Sequence, residues 1–226
     1  MQIGILQTGH APEAVKAELG EYSDMFERLL AGQGLSFTSY NVVDMEFPES
    51  VHAADGWLVT GSKHGAYEDL PFIPPLEDFI REAYAAHVPM VGICFGHQII
   101  AQALGGKVEK FGGGWAVGPT TYRIGGQDYS LNAWHQDQVT ELPEGAEVIG
   151  ENDFCRNAAL VYDDRILTTQ PHPEFTPQMI QMLIDQRGRG VVPDTLLDEA
   201  LAKLDGPTDS AAMAQQIAEF FKKARG

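Results

Sequence analysis

The chain of 226 residues has few cysteines, few basic residues and no long apolar run. Two cysteines cannot build a disulfide framework, which excludes the small stapled folds of secreted proteins. They suit a reducing compartment, so the cytoplasm is the expected location. Fifteen Lys and Arg stand against 32 Asp and Glu, for a formal net charge of −17. Such a surface repels phosphate backbones, so no nucleic acid is expected as a partner. No stretch is long enough to cross a bilayer, and the opening residues MQIGILQTGHAPEA lack the basic and apolar regions of a secretory signal. Neither membrane nor export is therefore expected. The seven histidines, at positions 10, 52, 64, 87, 97, 135 and 172, show none of the paired spacings used by zinc sites. The sequence also lacks a phosphate loop and a dinucleotide fingerprint, and neither metal nor cofactor is expected.

What is present is an ordinary globular composition, 44% hydrophobic and 21% charged. QIGIL (2–6) reads as a buried strand. In GEYSDMFERLLAGQG (20–34), Tyr22, Met25, Phe26, Leu29 and Leu30 recur every three or four residues and mark a helix face. LSFTSYNVV (35–43) alternates as a strand does, and DGWLVTGS (55–62) is a strand running into a glycine turn. PPLEDFIREAYAAH (74–87) is helical and VPMVGI (88–93) is again a strand. This alternation predicts an α/β fold with a mostly parallel central sheet between two layers of helices. From about 107 to 170 the pattern changes to short strand-like pieces. TPQMIQMLIDQR (176–187) returns to helix, and the rest reads as two helices split by DGPTD (205–209). The expected organisation is one domain over 1–187 with a helical extension over 188–226, its Met213, Ile217, Phe220 and Phe221 stripe packed on that domain.

One cysteine sits in a distinctive context. In GICFGHQIIAQALGG (92–106) a strand enters Gly-Ile-Cys-Phe-Gly and a helix leaves it, closing at Gly105-Gly106. Strand, tight turn and helix form the geometry of a nucleophile elbow. Cys94 would stand at the C-terminal end of a parallel strand, where open α/β sheets place their ligands. The helix N-terminus would direct its partial positive charge at the sulfur. A nucleophile needs a base, and the base needs an orienting group. TTQPHPEF (168–175) offers both: residues two apart in extended chain share a side, and Pro173 holds His172 extended. Glu174 can then accept from one imidazole nitrogen while the other faces Cys94.

With these residues the chain resembles the class I, triad-type glutamine amidotransferases, whose fold is flavodoxin-like. The resemblance rests on GICFGHQIIAQALGG, on QPHPEF and on the strand ending LVTGS, and it spans about residues 1–187. It implies Cys94 as nucleophile, His172 as base and Glu174 as orienting acid. It implies that Gln98 contacts the amino-acid end of the substrate. Gly61 and the segment around Trp134, His135, Gln136 and Asp137 would grip that end as well, largely through backbone. It implies an oxyanion hole from the N–H groups of Ser62 and Phe95. Family members often carry Gly-Gly-Pro in that turn, whereas this chain has Gly61-Ser62-Lys63. The implied activity is cleavage of a γ-carboxamide through a γ-glutamyl thioester, with no metal.

Family amidotransferases pass ammonia to a synthase domain or subunit. Only about forty residues follow Arg187, too few for one. The chain therefore either pairs with a separate synthase subunit or works alone on glutamine or a γ-glutamyl substrate. The elbow text and the turn at 61–64 also resemble the stand-alone γ-glutamyl peptidases, and Lys63 and His64 would lie at the mouth of the site. A non-catalytic binding member of the fold is the remaining reading, opposed by the intact Cys94, His172 and Glu174.

Overall fold

The computed structural model describes residues 1–224. Its first four strands in the main sheet are β1 (Gln2–Leu6), β2 (Ser36–Tyr40), β3 (Gly56–Val59) and β4 (Met90–Ile93). β3 and β4, GWLV and MVGI, are buried at every position. Continuous apolar runs of this kind are required where helices cover both faces of a parallel sheet. The helices are α1 (Glu13–Leu19), α2 (Tyr22–Leu29), α3 (Ile73–Ala85), α4 (Phe95–Ala103), α5 (Pro177–Leu183), α6 (Asp194–Leu201) and α7 (Ser210–Ala224). Seven strands follow α4: β5 (Lys107–Lys110), β6 (Ala116–Ile124), β7 (Gln127–His135), β8 (Asp137–Glu141), β9 (Ala146–Glu151), β10 (Ala159–Tyr162) and β11 (Ile166–Thr169).

The nine-stranded sheet has the order β2-β1-β3-β4-β11-β10-β9-β6-β7. The central part, β2-β1-β3-β4-β11, is parallel throughout. Beyond β11 the pairings are antiparallel, so the short strands of 107–170 form a wing on the parallel sheet. β5 and β8 make a separate two-stranded ribbon. The strand expected over 35–43 stops at Tyr40, and Val42–Asp44 winds into a single 3₁₀ turn closed by Met45 in the left-handed region.

Helices cover both sheet faces. One core joins the sheet to α3 and α4 through Leu76, Ile80, Phe95 and Ile99. The other joins it to α2 and α7 through Phe26, Met213, Ile217 and Phe221. A three-layer α/β/α sandwich results. Met213, Ile217 and Phe221 are buried, and Phe220 packs part-buried beside them. Replacing Phe221, which is wholly buried, with Ala is expected to cost about 3 kcal/mol through lost transfer energy and a cavity. The urea midpoint measures it, and a loss below about 1 kcal/mol would mean that α7 adds little to the core. No helix among the described residues is long and apolar enough to cross a membrane.

Candidate active site

β4 passes directly into α4 at Cys94, whose backbone lies at φ 53°, ψ −103°. A non-glycine residue in that region is strained by about 1–3 kcal/mol and persists only where its surroundings enforce it. Three bonds do so. The Cys94 N–H donates to the Thr169 carbonyl at the end of β11, the Gln98 N–H donates to the Cys94 carbonyl, and the Gly96 N–H donates to the Thr60 carbonyl after β3. The flanking glycines are there for space. A Cβ on Gly96 would stand 2.2 Å from the Val59 carbonyl oxygen, and one on Gly92 would stand 2.6 Å from the Gly96 carbonyl oxygen. The helix start can therefore sink onto β3 and lift Cys94 toward the strand ends.

His172 reaches the same corner from the segment after β11. Its N–H donates to the Asn132 carbonyl, and the Asn132 amide donates to the Phe175 carbonyl, which ties the segment to β7. Thr176 caps α5 by accepting from the Met179 N–H, and Pro177 fits the first helical position. His172 thus sits between a strand end and a helix start, its ring stacked on Phe175 with centroids 3.8 Å apart. Nδ1 of His172 is 2.7 Å from Glu174 Oε1. Both side chains are almost wholly buried. Burial alone would lower the His172 pKa. The charges of Glu174 and Cys94, with hydrogen bonds donated to both, outweigh it and raise it to about 10. Gly61 leaves room for this meeting. A Cβ there would stand 2.8 Å from His172 Cε1 and 3.7 Å from Cys94 Cβ.

These groups open into a cleft of about 340 Å³, at the small end of ligand pockets. Gly61, Ser62, Gln98, Trp134, His135, Gln136 and Asp137 all line it. Phe95 and Glu174 do not: the Phe95 ring packs on Phe72 in the core, and Glu174 lies behind the imidazole. The Ser62 hydroxyl turns away and donates to the Thr8 carbonyl. The N–H groups of Ser62 and Phe95 make no hydrogen bond among the described residues, which leaves both available to an anion. His135 is buried, its Nδ1 3.3 Å from the Asp137 carbonyl oxygen. Burial, with the His172 charge beside it, lowers its pKa to about 3, so it is a neutral wall of the site. The Asp137 carboxylate accepts from the Tyr67 hydroxyl at 3.1 Å, and burial raises its pKa. Lys63 is exposed at the rim, and His64 lies 3.5 Å from Glu68.

A class-I glutamine amidotransferase family model matches residues 21–186. The chain belongs to that family. It is 33% identical over 192 residues to Gamma-glutamyl peptidase 4 of Arabidopsis thaliana, covering 77% of this chain and 76% of that one. It is 35% identical over 138 residues to a glutamine-hydrolysing GMP synthase of Azoarcus sp., covering 54% of this chain and 26% of the synthase. The solved glutamine amidotransferase of Methylobacillus flagellatus superposes with a TM-score of 0.74 at 23% identity, covering 100% of this chain and 93% of that one, so the fold is the amidotransferase fold.

Sequence reasoning missed several groups that meet at this site in the amidotransferase fold. Gln170 follows β11 with its amide 3.5 Å from Cys94 Sγ, donating toward the sulfur, and its carbonyl accepts from Gln98, which also donates to the Asp137 carbonyl. A lone glutamine after a strand carries no motif, although its fixed place two residues before His172 is a signal of sorts. Phe175 and Tyr22 stack in series behind the imidazole. Arg187 also lines the cleft, from the end of the segment over 176–187, where nothing local marks it.

Proposed function

We propose that this chain hydrolyses the γ-amide bond of glutamine or of a γ-glutamyl compound, with Cys94 as nucleophile, His172 as acid and base and Glu174 as the group that orients it. The observation that carries this reading is the meeting of a strained, cleft-facing Cys94 with the buried His172–Glu174 pair at one corner of a ligand-sized pocket. His172 already holds the proton that it shares with Cys94, and the Cys94 sulfur attacks the γ-carbonyl carbon. The oxyanion that forms is held by the Ser62 and Phe95 N–H groups. His172 passes the proton to the leaving nitrogen, the C–N bond breaks, and a γ-glutamyl thioester remains. Water, deprotonated by His172, cleaves the thioester to glutamate and frees the Cys94 sulfur, with the proton back on the imidazole. The high His172 pKa suits the acid half of this cycle, because the imidazole keeps its proton through neutral pH. In this reading residues 1–187 form the catalytic unit and 188–226 an extension packed on it.

Stand-alone action is the form of this reading that we favour. The likeness to a γ-glutamyl peptidase covers most of both chains, whereas the likeness to the GMP synthase covers 26% of the synthase. The His172–Glu174 pairing within the one chain also supports it. The test is to incubate the purified chain with glutamine and with a panel of γ-glutamyl amides and peptides, and to measure glutamate release. Turnover of at least one γ-glutamyl peptide by the isolated chain is expected. Slow release from glutamine alone would instead assign the chain as a subunit awaiting a synthase.

A further inference from the structure

The base that protonates a leaving nitrogen must lie beside it, so the rest of the leaving group extends along the wall that continues past His172. That wall is Phe175, Tyr22, Leu183, Arg187 and Val191. α5 does not end regularly. The helix expected to run to 187 widens at Ile184–Gly188 into a π turn, a feature that recurs at functional sites. The turn carries Arg187 to the cleft. Arg187 is half-buried and makes no ion pair among the described residues, its guanidinium instead reaching the Tyr22 hydroxyl. Two residues on, Arg189 pairs with both Asp194 and Asp198 at 2.8 Å. In a chain with 32 acidic residues, a part-desolvated cation left without a carboxylate at a ligand cleft is a vacancy for an anion. Val191 next to it is the most exposed large apolar residue of the described chain, at 63%, and Trp115 and Trp134 face the cleft, 6.5 Å apart. Exposed apolar surface lining a cleft marks what a ligand covers.

Resting on the γ-glutamyl hydrolase reading above, we infer that Arg187 binds the free carboxylate of the leaving group and that Val191, Leu183 and the two tryptophans receive a large apolar side chain. The substrate class is thus a γ-glutamyl dipeptide whose second residue is aromatic or aliphatic and ends in a carboxylate. Lys63 also lines the cleft but is exposed, so holding it in one place costs more side-chain freedom than it does for the half-buried Arg187.

The experiment compares kcat/KM on γ-glutamyl-phenylalanine, γ-glutamyl-phenylalanine amide, γ-glutamyl-glycine and glutamine for the wild type, Arg187→Ala and Arg187→Lys. The wild type should prefer the free acid of the phenylalanine compound to its amide and to the glycine compound by about tenfold or more. Arg187→Ala should erase the preference for the acid over the amide, and Arg187→Lys should restore part of it. Binding of γ-glutamyl-phenylalanine to the Cys94→Ala protein, measured by calorimetry, should weaken by a similar factor when Arg187→Ala is added. Equal turnover of acid and amide by the wild type, or an equal loss on glutamine and on the dipeptide in Arg187→Ala, overturns the subsite. A wild type that hydrolyses nothing, with binding still dependent on Arg187, overturns the hydrolase reading and leaves the subsite standing.

Discussion

Cys94→Ala should lower γ-glutamyl hydrolysis by about 10³-fold or more while the protein stays folded. The loss follows from the covalent route, since alanine leaves no atom to form the thioester and any residual rate comes from binding and the oxyanion donors alone. The fold should survive because the bonds that hold the elbow are made by backbone: Cys94 N–H to Thr169, Gln98 N–H to Cys94 and Gly96 N–H to Thr60. Alanine accepts the φ of 53° no worse than cysteine does, so circular dichroism and the melting temperature should change little. Cys155→Ala is the control. That thiol is almost fully buried, its backbone N–H donates to Asn152, and burial pushes its pKa up to about 12. It stays protonated and inert at neutral pH, and its loss should leave activity within about twofold of the wild type. A single alkylation with iodoacetamide should inactivate the enzyme and map to Cys94. Retained activity in Cys94→Ala, at matched purity, ends the nucleophile assignment.

The elbow could be read from sequence because every part of it is local. Gly92, Cys94 and Gly96 lie within five residues, and the strand before and the helix after them are each announced by periodicity. The His172–Glu174 pair was legible for the same reason: Pro173 fixes the extended backbone that puts the two side chains on one side. Legibility fails where a contact depends on which distant segments pack together. The strand-like pieces of 107–170 read as strands, and the two-residue Gly125-Gly126 turn is a local signal for the β6–β7 hairpin, but no local signal says that β6 pairs with β9 on its other edge. That choice is made by burial across the whole sheet, and it is what presents the Asn132 carbonyl to His172. Gln170 escaped notice because its role is to bridge Gln98 and Cys94, two residues over 70 positions upstream. Arg187 escaped because it seemed an ordinary charged residue at a helix end. Its lack of a carboxylate partner exists only in the fold. Even the boundary at Leu183 was unreadable, since a π turn differs from an α turn by one hydrogen-bond step and leaves the apolar spacing almost unchanged.

Glu174→Gln should cost about a hundredfold in kcat/KM and should also move the alkaline limb of its pH profile downward. The sign follows from what holds the proton on His172. Burial lowers the imidazole pKa, and the negative charge of Glu174, with its 2.7 Å contact to Nδ1, is the strongest influence raising it, so that the net value is about 10. In the wild type the protonated imidazole that serves the leaving nitrogen is present at pH 7 and is lost as pH rises through that value. Glutamine keeps the shape of Glu174 and removes its charge. The opposing burial then acts with only Cys94 against it, and the His172 pKa must fall. The protonated fraction is consequently lost at lower pH, and the alkaline limb of kcat/KM, which reports the free enzyme, shifts toward neutrality. The amide also brings an N–H₂ that can face Nδ1–H, and the resulting mismatch favours the wrong tautomer or a turned ring. That accounts for a rate loss larger than the pKa shift alone would give. An unshifted limb in Glu174→Gln would assign it to a group other than His172, and a variant as fast as the wild type would leave Glu174 a packing residue behind the imidazole.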